Sequence, residues 1–378
     1  MRKKTHILLV IWHPVGGIRT FLRYVYGQFN ADQYKLTILL PETSELAATK
    51  EDLSRTDVQF EVLPPKPSAF IFFFAINRLL KEQQVDIVHS QGFTSGVLAT
   101  LPARMRKIPH LLTSHDVLRE DQFQGLKGGI QKRVLSFLLS LPDMIHSVSN
   151  DAQENLLEFF PRLKKNMTKQ CVIHNGIDPK RFLIKKRADL KGKIGLPRET
   201  FLIGFFGRFM PQKGFDILVD AVEILASQND VPPFSVVAFG WGGFIREEQE
   251  DIEKRRLTKY FYFLPFEANV AHALRGVDVV TIPSRWEACP LLPMEALVAG
   301  VPVIGTDCLG LREVLQGTPG NIIPVDDARA LAQVLLSEMQ TSTLNKIIAY
   351  RNKAARRFEV QKQVEGLNQL LNILSVSK

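Results

Sequence analysis

Short apolar runs alternate with stretches of helical periodicity along most of the chain. In the first half the runs are His6–Ile11, Lys35–Leu40, Val58–Val62, Asp86–His89, His110–Thr113, Met144–Val148 and Cys171–His174. After a basic segment, Lys185–Arg198, the alternation restarts with Phe201–Phe206, Ser235–Phe239, Phe261–Leu264, Val277–Ile282, Val301–Ile304 and Asn321–Ile323. Strands that read as apolar throughout, separated by helices, predict parallel sheets covered on both faces. The pattern therefore predicts two doubly wound α/β domains in tandem with a boundary near Gly192–Pro197. The tail from Ala328 to Lys378 predicts helices only.

Composition adds few constraints. At 378 residues the chain is long enough for two or three domains, and 45% hydrophobic with 23% charged residues is ordinary for a globular protein. The longest purely apolar run, Ala69–Ile76, falls far short of the ~20 residues that span a bilayer. Met1-Arg2-Lys3-Lys4 leads directly into the first strand and a Trp12-His13-Pro14 turn, so no secretory leader is expected. Cys171, Cys289 and Cys308 are scattered and odd in number, which points to a reducing cytoplasm without disulfides or structural zinc. Charge is uneven. Residues 1–195 hold 29 Lys+Arg against 18 Asp+Glu, and residues 196–378 hold 19 against 21. The excess of the first half could track an anionic membrane surface. Clusters at Arg104-Met105-Arg106-Lys107, Lys127 with Lys132-Arg133, and Lys164-Lys165 are the residues that would do so. A nucleic-acid partner is not expected, because no helix-turn-helix or basic aromatic platform accompanies the charge.

Candidate chemistry gathers at strand ends, where open α/β sheets bind ligands. Neither domain shows G-x-G-x-x-G after its first strand, which argues against a dinucleotide-dependent dehydrogenase. After the first strand of the chain, Gly16 and Gly17 let backbone N–H groups approach an anion at the start of a helix. After the first strand of the second half, Arg208 offers a planar fork and Lys213 a point charge, a sensible pair for a diphosphate. The stretch Thr281–Gly305 reads as strand, loop, helix and strand, with Glu287 in the loop and Glu295 at the helix start. Carboxylates accept hydrogen bonds from paired hydroxyls, while helix N-terminal amides such as those of Leu291 and Leu292 suit phosphate. A sugar nucleotide presents both kinds of group.

These motifs resemble those of the retaining, nucleotide-sugar-dependent glycosyltransferases of family 4. Pro283-Ser284 before Glu287, the seven-residue interval to Glu295 and the following Gly300-Val301-Pro302-Val303 are similar to the E-x7-E signature. Gly16-Gly17 resembles the family's N-terminal glycine loop, and Thr113-Ser114-His115-Asp116 its acceptor-side histidine motif. Asn175-Gly176-Ile177-Asp178 resembles its interdomain turn, and Gly207-Arg208 with Lys213-Gly214 its diphosphate clamp. One departure is Ala288-Cys289-Pro290, where the family often has Gly-Phe-Gly. Pro290 has no N–H, so one donor toward the sugar or phosphate is missing.

The resemblance implies a GT-B fold, two Rossmann-like domains facing across a cleft. Residues 1–195 would bind the acceptor and 196–357 the nucleotide sugar, with a last helix over about 358–378 crossing back to the first domain. It implies Glu295 on the ribose, Glu287 on the donor sugar, and Arg208, Lys213, Gly16 and Gly17 on the diphosphate. His115 is the histidine expected in the site. The expected reaction is transfer of a hexose from a UDP- or GDP-sugar to a glycan or lipid-linked acceptor, in surface polysaccharide or glycoconjugate synthesis. The enzyme would be cytoplasmic, and peripheral at the inner face of the membrane. No Asp-x-Asp follows a strand end, so no metal or other cofactor is expected. A GT-B sugar-nucleotide epimerase and a non-catalytic nucleotide or nucleic-acid binder are the rival readings.

Overall fold

A computed structural model describes residues 4–54, 56–183, 187–265 and 270–376. Two parallel sheets organise them. The first is built from β1 (Thr5–Ile11), β2 (Tyr34–Pro41), β3 (Val58–Leu63), β4 (Ile87–Gln91), β5 (His110–Ser114), β6 (Met144–Ser147) and β7 (Gln170–Val172), in the order β3-β2-β1-β4-β5-β6-β7. The second holds β8 (Phe201–Phe206), β9 (Phe234–Phe239), β10 (Phe261–Leu264), β11 (Val279–Ile282), β12 (Val303–Thr306) and β13 (Asn321–Ile323), in the order β10-β9-β8-β11-β12-β13. Every predicted strand is present, shifted at its ends by at most three residues.

The central strands are buried because helices cover both faces of each sheet. Residues of β1, β4 and β8 such as Ile7, Leu9, Val88 and Ile203 have no exposed surface. In the first sheet, Leu8, Val10 and Val88 pack against Phe72, Ile76 and Leu79 of the helix Ala69–Glu82. In the second, Ile203, Phe205 and Val236 pack against Phe215, Leu218 and Val222 of the helix Phe215–Ala226. Local signals set the helix ends. The Ser149 hydroxyl accepts from Ala152 N–H at 3.0 Å, and the Asp327 carboxylate accepts from Ala330 N–H at 2.8 Å. Among the described residues no helix is long and apolar enough to cross a membrane.

The chain forms two compact units, Met1–Gly176 with Val360–Lys378, and Ile177–Glu359. The division expected near Gly192–Pro197 therefore lies upstream, at Gly176–Ile177. Ion pairs give the reason, since Arg187 and Lys191 reach Asp278 of the second unit at 2.6 and 2.9 Å. Ile184–Lys186, part of the expected linker, fall outside the described residues. The last helix, Gln361–Val376, belongs to the first unit, where the Gln363 side chain accepts from Gly176 N–H at 3.0 Å and donates to Asn175 Oδ1 at 2.9 Å.

Both sheets reverse their strand order beside their first strand, between β1 and β4 and between β8 and β11. Such reversal points open a crevice at the carboxyl edge. The loops that leave those strands are the ones in which the motifs lie.

Candidate active site

In the second unit, three loops meet at the carboxyl edge. The loop after β8 runs from Gly207 to Gly214 and the loop after β11 from Pro283 to Pro290. The loop after β9 is Gly240-Trp241-Gly242-Gly243. Glycine is required where they touch. Gly214 sits at φ +63°, and a Cβ there would lie 2.0 Å from the Pro283 carbonyl oxygen. Backbone and side-chain bonds complete the joint. Arg285 N–H donates to Gln212 O at 2.8 Å, and the Gln212 amide donates to Trp286 O at 2.8 Å. The Arg285 guanidinium donates to both Asp216 oxygens at 3.0 and 2.6 Å, to Asp326 at 2.7 Å and to the Pro211 carbonyl at 2.6 Å. A planar fork held in this way fixes one loop against the other.

That joint brings Lys213 to Glu287. The ammonium donates to Glu287 Oε1 at 2.5 Å, and Ser284 Oγ donates to the same oxygen at 2.8 Å. Glu287 is only 7% exposed, so its charge stays buried only because these two donors serve it. Ser284 is itself held, since its carbonyl accepts from the Thr306 hydroxyl. Arg208 is solvent-exposed on the same loop as Lys213, and among the described residues no ion pair engages it. Pro290 ends the β11 loop, and the helix Leu292–Ala299 follows with Leu291 at its N-cap and Glu295 in its first turn. Gly300, at φ +80°, closes that helix in the left-handed conformation. The arrangement places two cations and a helix N-terminus, which favour negative charge, beside carboxylates that favour hydroxyl groups.

The first unit carries Gly16, Gly17 and His115. Gly16 caps the helix Gly17–Tyr24 at φ +60°, and a Cβ at either glycine would meet no atom within 4 Å. Backbone conformation demands glycine at 16, and among the described residues no contact demands it at 17. His115 follows β5 and joins a buried polar chain. His146 Nε2–H donates to Ile173 O at 2.9 Å, which leaves His146 Nδ1 to accept from the Thr113 hydroxyl at 3.1 Å. Thr113 Oγ1 also lies 2.7 Å from His89 Nε2, which the Gln91 side-chain amide meets at 3.1 Å, and His89 Nδ1 bonds the Tyr26 hydroxyl. His115 Nε2 bonds Gln91 Oε1 at 2.7 Å, while the edge of its ring meets Phe21 with centroids 4.9 Å apart. Burial pushes His115 down to about 3 and His146 down to about 4, and it lowers His89 well below its ordinary value. Burial keeps the imidazoles of this chain neutral.

Residues 15–181 match Glycosyltransferase Family 4, and residues 200–340 match Glycosyl transferases group 1. The chain is a family 4 glycosyltransferase. Similar proteins include the Escherichia coli UDP-Gal:alpha-D-GlcNAc-diphosphoundecaprenol alpha-1,3-galactosyltransferase, 26% identical over 80% of this chain and 79% of that one. The lipopolysaccharide core biosynthesis mannosyltransferase LpsB of Rhizobium meliloti is 32% identical over 44% of this chain and 50% of that one. In fold, the glycosyltransferase is similar to Anabaena HepE, whose crystal structure holds UDP and glucose. The TM-score is 0.82 at 20% identity, with 97% of this chain and 99% of that one covered. Its own fold is accordingly the two-domain, Rossmann-like GT-B fold.

Of the residues singled out in the sequence, Arg208, Lys213 and Glu287 stand on two neighbouring loops of the glycosyltransferase's second unit, and Leu291, Leu292 and Glu295 stand at the start of the helix that follows the second loop. Gly16, Gly17 and His115 stand at the matching edge of the first. Sequence reasoning placed Ser284 in the motif but not its bond to Glu287, and it missed Arg285, which ties the loops together. It also missed the Gly240–Gly243 loop, where a Cβ at Gly242 would lie 2.5 Å from Phe209 O. Three glycines in four residues directly after a strand were the available signal.

Proposed function

We propose that this glycosyltransferase moves a hexose from a UDP- or GDP-sugar, with retention of anomeric configuration, to a glycan or lipid-linked acceptor in surface polysaccharide or glycoconjugate synthesis. The observation that carries this reading is the Lys213–Glu287 pair at the carboxyl edge of β8 and β11, with Arg208 exposed on the same loop as Lys213. Departure of the nucleoside diphosphate is the step the protein would assist. Arg208, Lys213 and the Leu291 and Leu292 amides would stabilise the charge that gathers on it. Glu295 would hold the ribose hydroxyls and Glu287 the donor sugar. Retention follows if a diphosphate oxygen takes the acceptor hydroxyl's proton while that hydroxyl attacks on the face the diphosphate leaves. With two cations to offset the diphosphate, the reaction would proceed without a metal or other cofactor.

The names of relatives support the substrate class. The Escherichia coli relative is named for UDP-galactose and a diphosphoundecaprenol-linked acceptor, and the HepE structure holds UDP and glucose. A lipid-linked acceptor would put the enzyme in the cytoplasm, at the inner face of the membrane.

Thermal unfolding in the presence of UDP, GDP or ADP tests the donor half of this reading. A nucleotide at 100 times its Kd adds about 2.7 kcal/mol of stability. We expect UDP or GDP to raise the unfolding temperature, and no response to any of the three would overturn the assignment.

A further inference from the structure

We propose that the solvent-facing side of the helix Gly125–Leu138, with the adjoining helical segment Pro161–Lys169, is a docking surface for an anionic phospholipid leaflet. Leu126 is 90% exposed, and Ile130, Val134 and Phe137 each remain about half exposed or more. At 100° per residue these four positions fall within about 80° of the helix circumference, a continuous apolar stripe. A core-facing helix would turn that stripe inward. Here Leu135 packs inward instead, and the Lys132 ammonium lies over the rings of Phe123 and Phe159.

Charge selects the occupant. Lys127 and Arg133, both exposed, border the stripe on its two sides. Arg162 lies over the Phe137 ring at 5.4 Å and joins the neighbouring segment to the helix. That segment adds exposed Lys164, Lys165 and Met167. The two elements together hold seven Lys and Arg and no Asp or Glu. Carboxylates occur only beside them. Glu120 and Asp121 precede the helix, with Asp121 held by Arg119 at 2.9 Å, and Glu154 and Glu158 lie on the helix Asn150–Phe159. Lysine is depleted from protein–protein interfaces, whereas an apolar stripe edged by lysine and arginine is what anionic lipid surfaces bind.

The position suits a lipid-linked acceptor, and in that respect the inference deepens the proposed function. The helix starts at the carboxyl edge of the first sheet, ten residues after His115, so its most exposed apolar residue lies at the end of the sheet that carries the histidine.

Co-sedimentation of the full chain with phosphatidylcholine vesicles, with and without phosphatidylglycerol, tests the surface without any donor or acceptor. We expect at least about tenfold stronger partition onto the anionic vesicles at ~0.1 M salt, lost at ~1 M salt as the screening length falls from ~10 to ~3 Å. Leu126→Ser with Ile130→Ser, and separately Lys127→Glu with Arg133→Glu, should each lower that partition about tenfold. All four residues are exposed, so the fold should survive, and nucleotide-induced stabilisation of the same variants should match the parent. Equal binding to both vesicle types, binding to neither, or binding that the variants leave unchanged would overturn the proposal. So would a dimer in sedimentation velocity that the Leu126→Ser/Ile130→Ser variant disperses, since a second copy would then cover the stripe. Failure on vesicles with nucleotide binding intact removes the surface alone, and the opposite result removes the donor assignment alone.

Discussion

Lys213 and Glu287 depend on each other, and that dependence separates stability from catalysis. Removing the ammonium by Lys213→Ala leaves a buried carboxylate with Ser284 as its one remaining side-chain donor among the described residues. Stability should fall by about 1–3 kcal/mol in denaturant titration, and kcat should fall on the order of 100-fold or more. Adding Glu287→Gln to that variant removes the orphaned charge. We expect the double variant to regain stability without regaining turnover, and recovery of both would mean that Lys213 acts only as a counter-ion to Glu287. At this scale the sequence displayed the charged residues, because a cation or carboxylate at a strand end is conspicuous. It hid the pairing, since Arg285 finds Asp216 and Asp326 across 69 and 41 positions and no local spacing encodes such contacts.

Among the elements, the strands were legible because a parallel strand covered on both faces must be apolar along its whole length. Their ends were less so. The run Val277–Ile282 was expected as one strand, but pairing begins at Val279, because Asp278 turns to bind Leu202 N–H, Arg187 and Lys191. The histidines of the first unit sit on these strands and adjoining loops. Burial keeps His146 at about 4 and His110 at about 3, against about 6.5 for histidine in an unfolded chain. Both folded values are depressed, so between them and pH 6.5 the unfolded chain binds the extra protons. Their contribution to stability is therefore full above pH 6.5 and is lost as pH falls. Each of these two residues should withdraw on the order of 2 kcal/mol by pH 5. Thermal unfolding from pH 8 to pH 5 should show a flat upper limb and a steep decline below pH 6.5, and a flat profile throughout would contradict the neutral chain. His115, expected from the sequence as a site residue, is attached to this network through Gln91. His89 and His146 are scaffold within it.

On the scale of the whole molecule, the order of strands in each sheet puts the chemistry-bearing loops at a reversal point, twice over. The sequence showed the two sheets but not where one unit ends, because the basic segment after Gly176 looks like a linker and its ion pairs to Asp278 are invisible in the local pattern. The cationic excess of residues 1–195 was equally plain, whereas the exposed stripe on Gly125–Leu138 required coordinates. The central claim is sugar transfer from a nucleotide, and its most direct test follows the sugar. UDP- and GDP-hexoses labelled in the sugar would be incubated with the enzyme and a lipid-linked acceptor extract. The lipid fraction would then be read for label and for anomeric configuration by NMR. Label is expected in the lipid product in the donor's own anomeric configuration, with nucleoside diphosphate released in equal amount and both lost in Lys213→Ala. Label that stays on the nucleotide, or returns there as an epimer, would contradict the central claim.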